Sequence, residues 1–508
     1  MTESDCPALD VWLEKYEQVL REKPSGEAER ARHKQKIARL DRQLDPAVAR
    51  KSPRALRAKA TLARKRHRFD EAIRFWQDYA NLVPKKKADL ALLKIADIHL
   101  LNGEAAEAER VLNTVSDKEH SLFRKIQERL WTGRRYKQAS TTYNDALGYF
   151  SQGRLTEFEQ SVLSALRLLY GNDLPSHPQL LALIRELASA QAGNLPEIAM
   201  PHKGPSSDGP VAIFVAGFGW SGSGAAFDFL RQHQDAETFS KEELTILASR
   251  EGDVVKCLDV LQREPKQFQN TFCATILHGI LGLSTRSNQG EKIIKKARAR
   301  SLISVFIDDK EKIQSLLLAT QKLVRTALQI DTEDVDRHTL FSAAFAEFFR
   351  IVLKLKQGGT RYLLFNNAIT GRYIEAIRLM PENSIAIAVV RDVRDIYCDR
   401  FFAGRCAEAQ KFVNAYRSKR RLYEEALAHP DVGPKVIEIW FENLILDPDF
   451  RQDLLVHLGM NPARSDDGSK SFDPEKSRKN IGMYSAFSDQ AAIAVIEDAL
   501  PLFLYKRK

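Results

Sequence analysis

No stretch of this chain approaches the roughly 20 consecutive apolar residues that a membrane-spanning helix needs, although 44% of its residues are hydrophobic. Cysteine is scarce too: Cys6, Cys257, Cys273, Cys398 and Cys406 form no CxxC pair and no metal-ligand spacing. That scarcity argues against a disulfide framework or a cysteine-ligated metal and suits reduced thiols. The first segment, MTESDCPALDVWLEKYEQVLREKPSGE, lacks the basic start and apolar stretch of a secretory signal. A soluble, cytoplasmic protein is the expectation. Acid is in the minority as well: the net charge of +10 favours anionic partners without naming one.

Glycine and strand-like alternation are both rare over residues 1–200, which are rich in Ala, Leu, Lys, Arg and Glu. This composition predicts helices. Between Ala55 and Pro84 the pattern is helix, turn, helix: Phe69-Asp-Glu-Ala72 opens the second helix, Trp76 follows, and Pro84 stops it. A looser version recurs at Gly103–Ala108 with Leu112, and at Tyr136–Ala139 with Tyr143. Steps of about three dozen residues resemble tetratricopeptide repeats, which implies a concave surface for a protein partner. The turns Arg64–Arg68 and Lys85–Lys87 are basic, either as a solvated helix face or as a docking surface for an anion. Nucleic acid is not expected, since no aromatic residues alternate with these charges. From Gln191 to Pro210 the sequence QAGNLPEIAMPHKGPSSDGP supports neither helix nor strand, and marks a linker. The expected layout is a helical repeat domain over 1–190, a linker over 191–210, and an α/β domain over 211–508 with a helical insertion at about 244–358.

Val211–Ala216 reads as one buried strand of a parallel sheet. It breaks at Gly217-Phe-Gly-Trp-Ser-Gly-Ser-Gly224 and turns helical from Ala225. Strand, glycine-rich turn and helix form a phosphate cradle, in which backbone amides and the positive end of the helix dipole face the anion. Further strands are expected at Arg361–Phe365, Ser384–Val390 and Val436–Trp440. Ligands in such sheets sit beyond the carboxyl ends of the strands, where Arg391 and Arg394 stand. Their planar forks suit phosphate, or else they pair with Asp392 and Asp395.

The order of elements resembles the sulfotransferase superfamily, which uses 3′-phosphoadenosine-5′-phosphosulfate (PAPS). Trp220-Ser-Gly-Ser223, Ile387–Asp395, Trp440–Pro448 and Lys476–Gly482 follow in the family's order, within the second domain only. The resemblance implies an α/β P-loop, sulfotransferase-like fold. It implies that Phe218, Gly219, Trp220, Ser221, Gly222, Ser223 and Gly224 hold the 5′-phosphosulfate. Arg391 and Arg394 would hold the 3′-phosphate, with Arg478 and Lys479 closing over it. Glu242 or Glu243 would be the general base, taking the proton of an acceptor hydroxyl on a glycan or glycolipid as it attacks sulfur. His338 is the other candidate base, and no metal is called for.

The chain departs from that family at three places. Trp220 stands where a lysine or arginine precedes Ser-Gly, and removing one transition-state donor costs about 10²–10³ in rate. Asp399, eight residues after Arg391, replaces a serine that shares the 3′-phosphate, and Asn366-Asn367 replaces a strand-end lysine. Two other readings stand beside it. A P-loop kinase or NTPase would take Ile303–Asp309 as a strand ending in a magnesium ligand, but Ser223 and Gly224 occupy the places of its lysine and hydroxyl. A non-catalytic nucleotide-binding scaffold would explain Trp220 and Asp399.

Overall fold

The computed structural model describes residues 52–65, 68–191, 209–240, 243–244, 246–247, 253–285, 296–330, 336–403, 405–406, 408–465 and 471–506. Glu242, Cys6, Arg66, His67 and nearly all of the expected linker lie outside the described residues. The chain divides into two compact units, Met1–Lys137 with Asn288–Glu291, and Gln138–Ser287 with Lys292–Lys508.

The described residues of the first unit are helical. Pro53–Lys65, Phe69–Leu82, Lys85–Asn102 and Ala105–Thr114 are successive helices. Ala72, Ile73, Trp76 and Tyr79 form the buried stripe of the second, spaced as an amphipathic helix requires. That stripe packs on Leu56, Ala60 and Ala63 before it and on Ala91, Ile95 and Ile98 after it. Lys85–Asn102 ends where Gly103 takes the left-handed conformation, φ 85°, and returns its amide to the last turn. Asp97 is buried between Arg64 and Arg129, one guanidinium to each oxygen. Tyr136–Ala139, read as a third recurrence of the pattern, lies in the middle of the continuous helix Ser121–Ser151. Gly133 alone does not break a helix that long when tertiary packing holds it.

The second unit holds a five-stranded sheet of β1 (Val211–Gly217), β2 (Ala236–Thr238), β3 (Tyr362–Asn366), β4 (Ile385–Val390) and β5 (Val436–Trp440). Its order is β2-β3-β1-β4-β5, and every pairing is parallel. Parallel strands are buried on both faces, so they read as unbroken apolar runs rather than alternation. On one face Ile213, Val215, Leu364, Ile387 and Val389 pack on Phe227, Leu230, Phe441 and Leu444. On the other, Phe214 stacks on Phe365 with centroids 4.5 Å apart and meets Phe349. β2 has no counterpart in the sequence reading, because Ala236-Glu-Thr238 is too short and too polar to register as a strand. Ile303–Asp309 is no strand: Leu302–Val305 is helical, and Asp309 caps the helix Lys310–Leu328 by accepting from the Lys312 amide. Among the described residues no helix is long and apolar enough to cross a membrane.

β1 lies between β3 and β4, so the direction of winding reverses between β1 and β4. The register places Gly217 beside Val389. The turn after β1 and the segment after β4 therefore leave the sheet side by side, at the edge where open α/β sheets bind ligands.

Candidate functional site

The turn from Gly217 to Gly222 is shaped by three left-handed residues: Gly219 at φ 81°, Trp220 at φ 66° and Gly222 at φ 88°. Glycine takes this conformation freely, whereas tryptophan pays roughly 1–2 kcal/mol for it. Gly222 is demanded twice, since a Cβ there would also lie 2.2 Å from the Phe441 ring. It precedes the helix Ser223–Leu230, whose first turn leaves Ser223 half-buried and Gly224 exposed. Ser221 is fully buried and closes the turn internally, its hydroxyl accepting from the Phe218 amide at 3.1 Å. Phe218 is the plug that fixes the turn: its ring meets Tyr423 edge-on at 5.1 Å, and the Arg420 guanidinium lies 5.0 Å from its centroid. Trp220 is 48% exposed.

Arg391 meets this turn directly. It is 3% exposed, and its Nη1 donates to the Trp220 carbonyl at 2.9 Å and to the Asp399 carboxylate at 2.6 Å. Its Nη2 donates to the Asn480 carbonyl at 2.5 Å. The left-handed twist at Trp220 is what turns that carbonyl toward the guanidinium. One side chain thus ties together the turn, the end of β4 and the C-terminal loop. Asp399, eight residues after Arg391, is the anion on it.

The rest of the Arg391–Asp395 motif is a hub for the chain's last third. Asp392 accepts from Arg394 through both oxygens and from the Tyr505 amide. Asp395 is fully buried and accepts from the Gly482 and Tyr484 amides at 2.8 and 3.1 Å. Arg394 turns away from the glycine turn to pair with Glu497 and lie 3.5 Å over the Tyr484 ring. Burial opposes its charge, but the bonds to Asp392 and Glu497 outweigh that and raise its pKa. Arg478 and Lys479 are exposed just before Asn480, with Arg478 on Glu475 at 3.2 Å.

Glu442 follows β5 and sits 1% exposed beneath this hub. One oxygen accepts from the Asp392 amide at 2.9 Å, while the other has no partner. Burial pushes its carboxyl up to about 7, and pushes that of Asp395 up to about 6, with Arg391 working against both shifts. The folded protein therefore keeps two protons that an unfolded chain releases near pH 4–4.5. Between those values and the folded ones the folded state binds more protons, so these two groups make stability fall as pH rises from about 4 to about 7 and no further above it. Glu442→Gln keeps the acceptor for the Asp392 amide and cannot ionise. Thermal melts should find it close to the parent at pH 4 and more stable at pH 8, by on the order of 3 kcal/mol. A variant less stable than the parent at pH 8 would mean the ionised carboxylate is favoured there.

The base candidates are spread out. Glu243 is ion-paired with Arg300 at 2.5 Å, and Glu242 is outside the described residues. His338 lines a cavity of about 340 Å³ with Arg378, His429 and Lys435. Since Glu382 and Pro434 of that cavity precede β4 and β5, it opens at the amino end of the strands, opposite the glycine turn. Burial, then Arg378 and Arg337, keeps the His338 imidazole below its ordinary pKa. The strand-end pair Asn366-Asn367 leaves β3 beside the turn, with Asn367 at φ 47°.

Sequence reasoning did not find Lys419. It comes from the helix Ala409–Leu427 and donates to the Phe218 carbonyl at 3.1 Å. Only the packing of that helix behind the turn reveals it, because nothing in Arg417-Ser-Lys-Arg420 differs from an ordinary basic helix face. Among the described residues no group of three His, Cys, Asp or Glu side chains is arranged to hold a metal ion. No family model matches the chain, and no curated protein is significantly similar to it.

Proposed function

We propose that the sheet-bearing unit is a nucleotide site of the sulfotransferase type, which moves a sulfuryl group from PAPS to an acceptor hydroxyl on a glycan or glycolipid. One observation carries the reading: the Arg391 guanidinium touches both the glycine turn and the C-terminal loop, so three segments that the resemblance makes a nucleotide site meet at one point. The acceptor oxygen attacks sulfur in line, and a new S–O bond forms. The bond from sulfur to the bridging phosphate oxygen breaks, and 3′-phosphoadenosine-5′-phosphate leaves with the electron pair. Amides of the turn and the start of the helix Ser223–Leu230 lie where charge grows on the leaving group. The acceptor's proton passes to a carboxylate base, for which Glu242 and Glu243 remain the candidates. The antiparallel helices over Pro53–Thr114 would hold a protein partner, as tetratricopeptide-like arrays do.

A second reading has a specific observation behind it. Asp399 already neutralises Arg391, which suits a domain that holds a nucleotide weakly and does not turn it over. A thermal-shift panel of 3′-phosphoadenosine-5′-phosphate, AMP, and ATP with magnesium tests both. The proposal expects the first to raise Tm at concentrations where the others do not, and label to leave PAPS for a glycan acceptor. A shift with ATP and magnesium alone overturns it. Binding without any transfer leaves the scaffold.

A further inference from the structure

Three cations gather about the turn, and the acid beside them, Asp399, is taken up by Arg391. Lys419 is half-buried, its ammonium on the Phe218 carbonyl and 3.8 Å from where a side chain on Gly219 would begin. Arg372 opens the 3₁₀ helix Gly371–Leu379 just past β3. Gly371 packs so closely on the Phe218 ring that a Cβ would lie 2.6 Å from it, which sets Arg372 beside the turn. Arg400 comes from the helix Val393–Phe402, with its Nε buried and without a partner. Burial, then Arg400 and Arg372, hold the Lys419 ammonium below the usual lysine pKa.

Among the described residues no carboxylate forms an ion pair with Lys419, Arg372 or Arg400. The neighbouring arginines are treated differently: Arg391 has Asp399, Arg394 has Asp392 and Arg420 has Glu438. The fold supplies a carboxylate to each buried arginine, and leaves the half-buried Lys419 and Arg400 and the exposed Arg372 open to an anion from outside.

We propose that Lys419, with Arg372 and Arg400, completes an anion seat on the glycine turn for a phosphate or phosphosulfate group of at least two negative charges. Lys419 there supplies, from a different element, the cation that Trp220 replaces in the turn. This rests on the reading of the turn as a phosphate cradle and names the side chains that make it one. The ammonium is a compact charge on a flexible stem, able to leave a carbonyl for a stronger acceptor. Arg391, committed to Asp399, leaves the seat as the open positive face of the turn.

The test uses the full chain, with inorganic pyrophosphate and 3′-phosphoadenosine-5′-phosphate titrated by calorimetry at low salt. Lys419→Gln removes the charge and keeps an N–H donor on a side chain one atom shorter. Pyrophosphate affinity should fall about tenfold to a hundredfold, the loss of one charge-assisted hydrogen bond. Lys419→Arg should stay within about threefold of the parent, since it keeps charge and donor. Without ligand, the Tm of Lys419→Gln should hold or rise, because repulsion is relieved. A fall in Tm with unchanged affinity would mean that Lys419 merely braces the turn, and overturns the seat. If the parent binds pyrophosphate but not the nucleotide, the seat stands and the sulfotransferase reading fails. If the nucleotide binds the parent and Lys419→Gln equally, the seat fails and that reading stands. If neither probe binds, both are lost.

Discussion

Arg391→Met should cost the sheet-bearing unit about 3–5 kcal/mol, the usual penalty for removing one partner of a buried ion pair. Asp399 loses its guanidinium, the carbonyls of Trp220 and Asn480 lose their donors, and Asp395 and Glu442 lose the positive charge that opposes their shifts. Both carboxyls should titrate higher still. Urea melts read by tryptophan emission give the size of the loss. The double variant Arg391→Met with Asp399→Leu should recover most of it, because two apolar side chains in place of a buried pair leave no charge stranded. If the single variant loses less than about 1 kcal/mol, or the double variant recovers nothing, Arg391 is not the clasp described here. The consequence for binding studies is practical: lost ligand affinity in an Arg391 variant is interpretable only beside its stability.

Asp399→Ser should do the opposite for ligand affinity. A carboxylate about 4 Å from a phosphate charge opposes it by roughly 4 kcal/mol at an effective dielectric near 20, close to a thousandfold. Removing it frees Arg391, and under the proposed function the new hydroxyl would share the 3′-phosphate. Affinity for 3′-phosphoadenosine-5′-phosphate should rise by up to about a thousandfold, while AMP, which lacks that phosphate, gains little. Without ligand the variant should melt earlier, for the buried guanidinium is then uncompensated, and ligand should restore the loss. Asp399→Asn, which keeps the shape without the charge, should fall between. Equal affinities for the bisphosphate in parent and serine variant would show that no phosphate reaches Arg391.

Much of the sheet was legible because its central strands are buried on both faces. Val211–Ala216 and Ser384–Val390 are apolar runs of this kind, Val436–Trp440 at the sheet's edge is broken by the exposed Glu438, and each is a strand within a residue of the expected bounds. β2 was not legible, since three residues carry no periodicity and the strand exists through its pairing with β3. The glycine turn was visible as composition, but the left-handed Trp220 was not, because its carbonyl meets Arg391 only once the two segments are brought together in the fold.

Local spacing settles what a segment can become: a helix in the N-terminal third, parallel strands ending in charge, a glycine turn before a helix. Which charges answer one another is decided across the fold, because β1 and β4 had to become neighbours before Arg391 could reach Trp220. The same packing chose Asp399 as its anion, sent Arg394 to Glu497, and brought Lys419 to the turn from more than two hundred positions away in the chain. Electrostatic partners act over a few ångströms whatever their separation in sequence, so a motif names the charges and the packing assigns them.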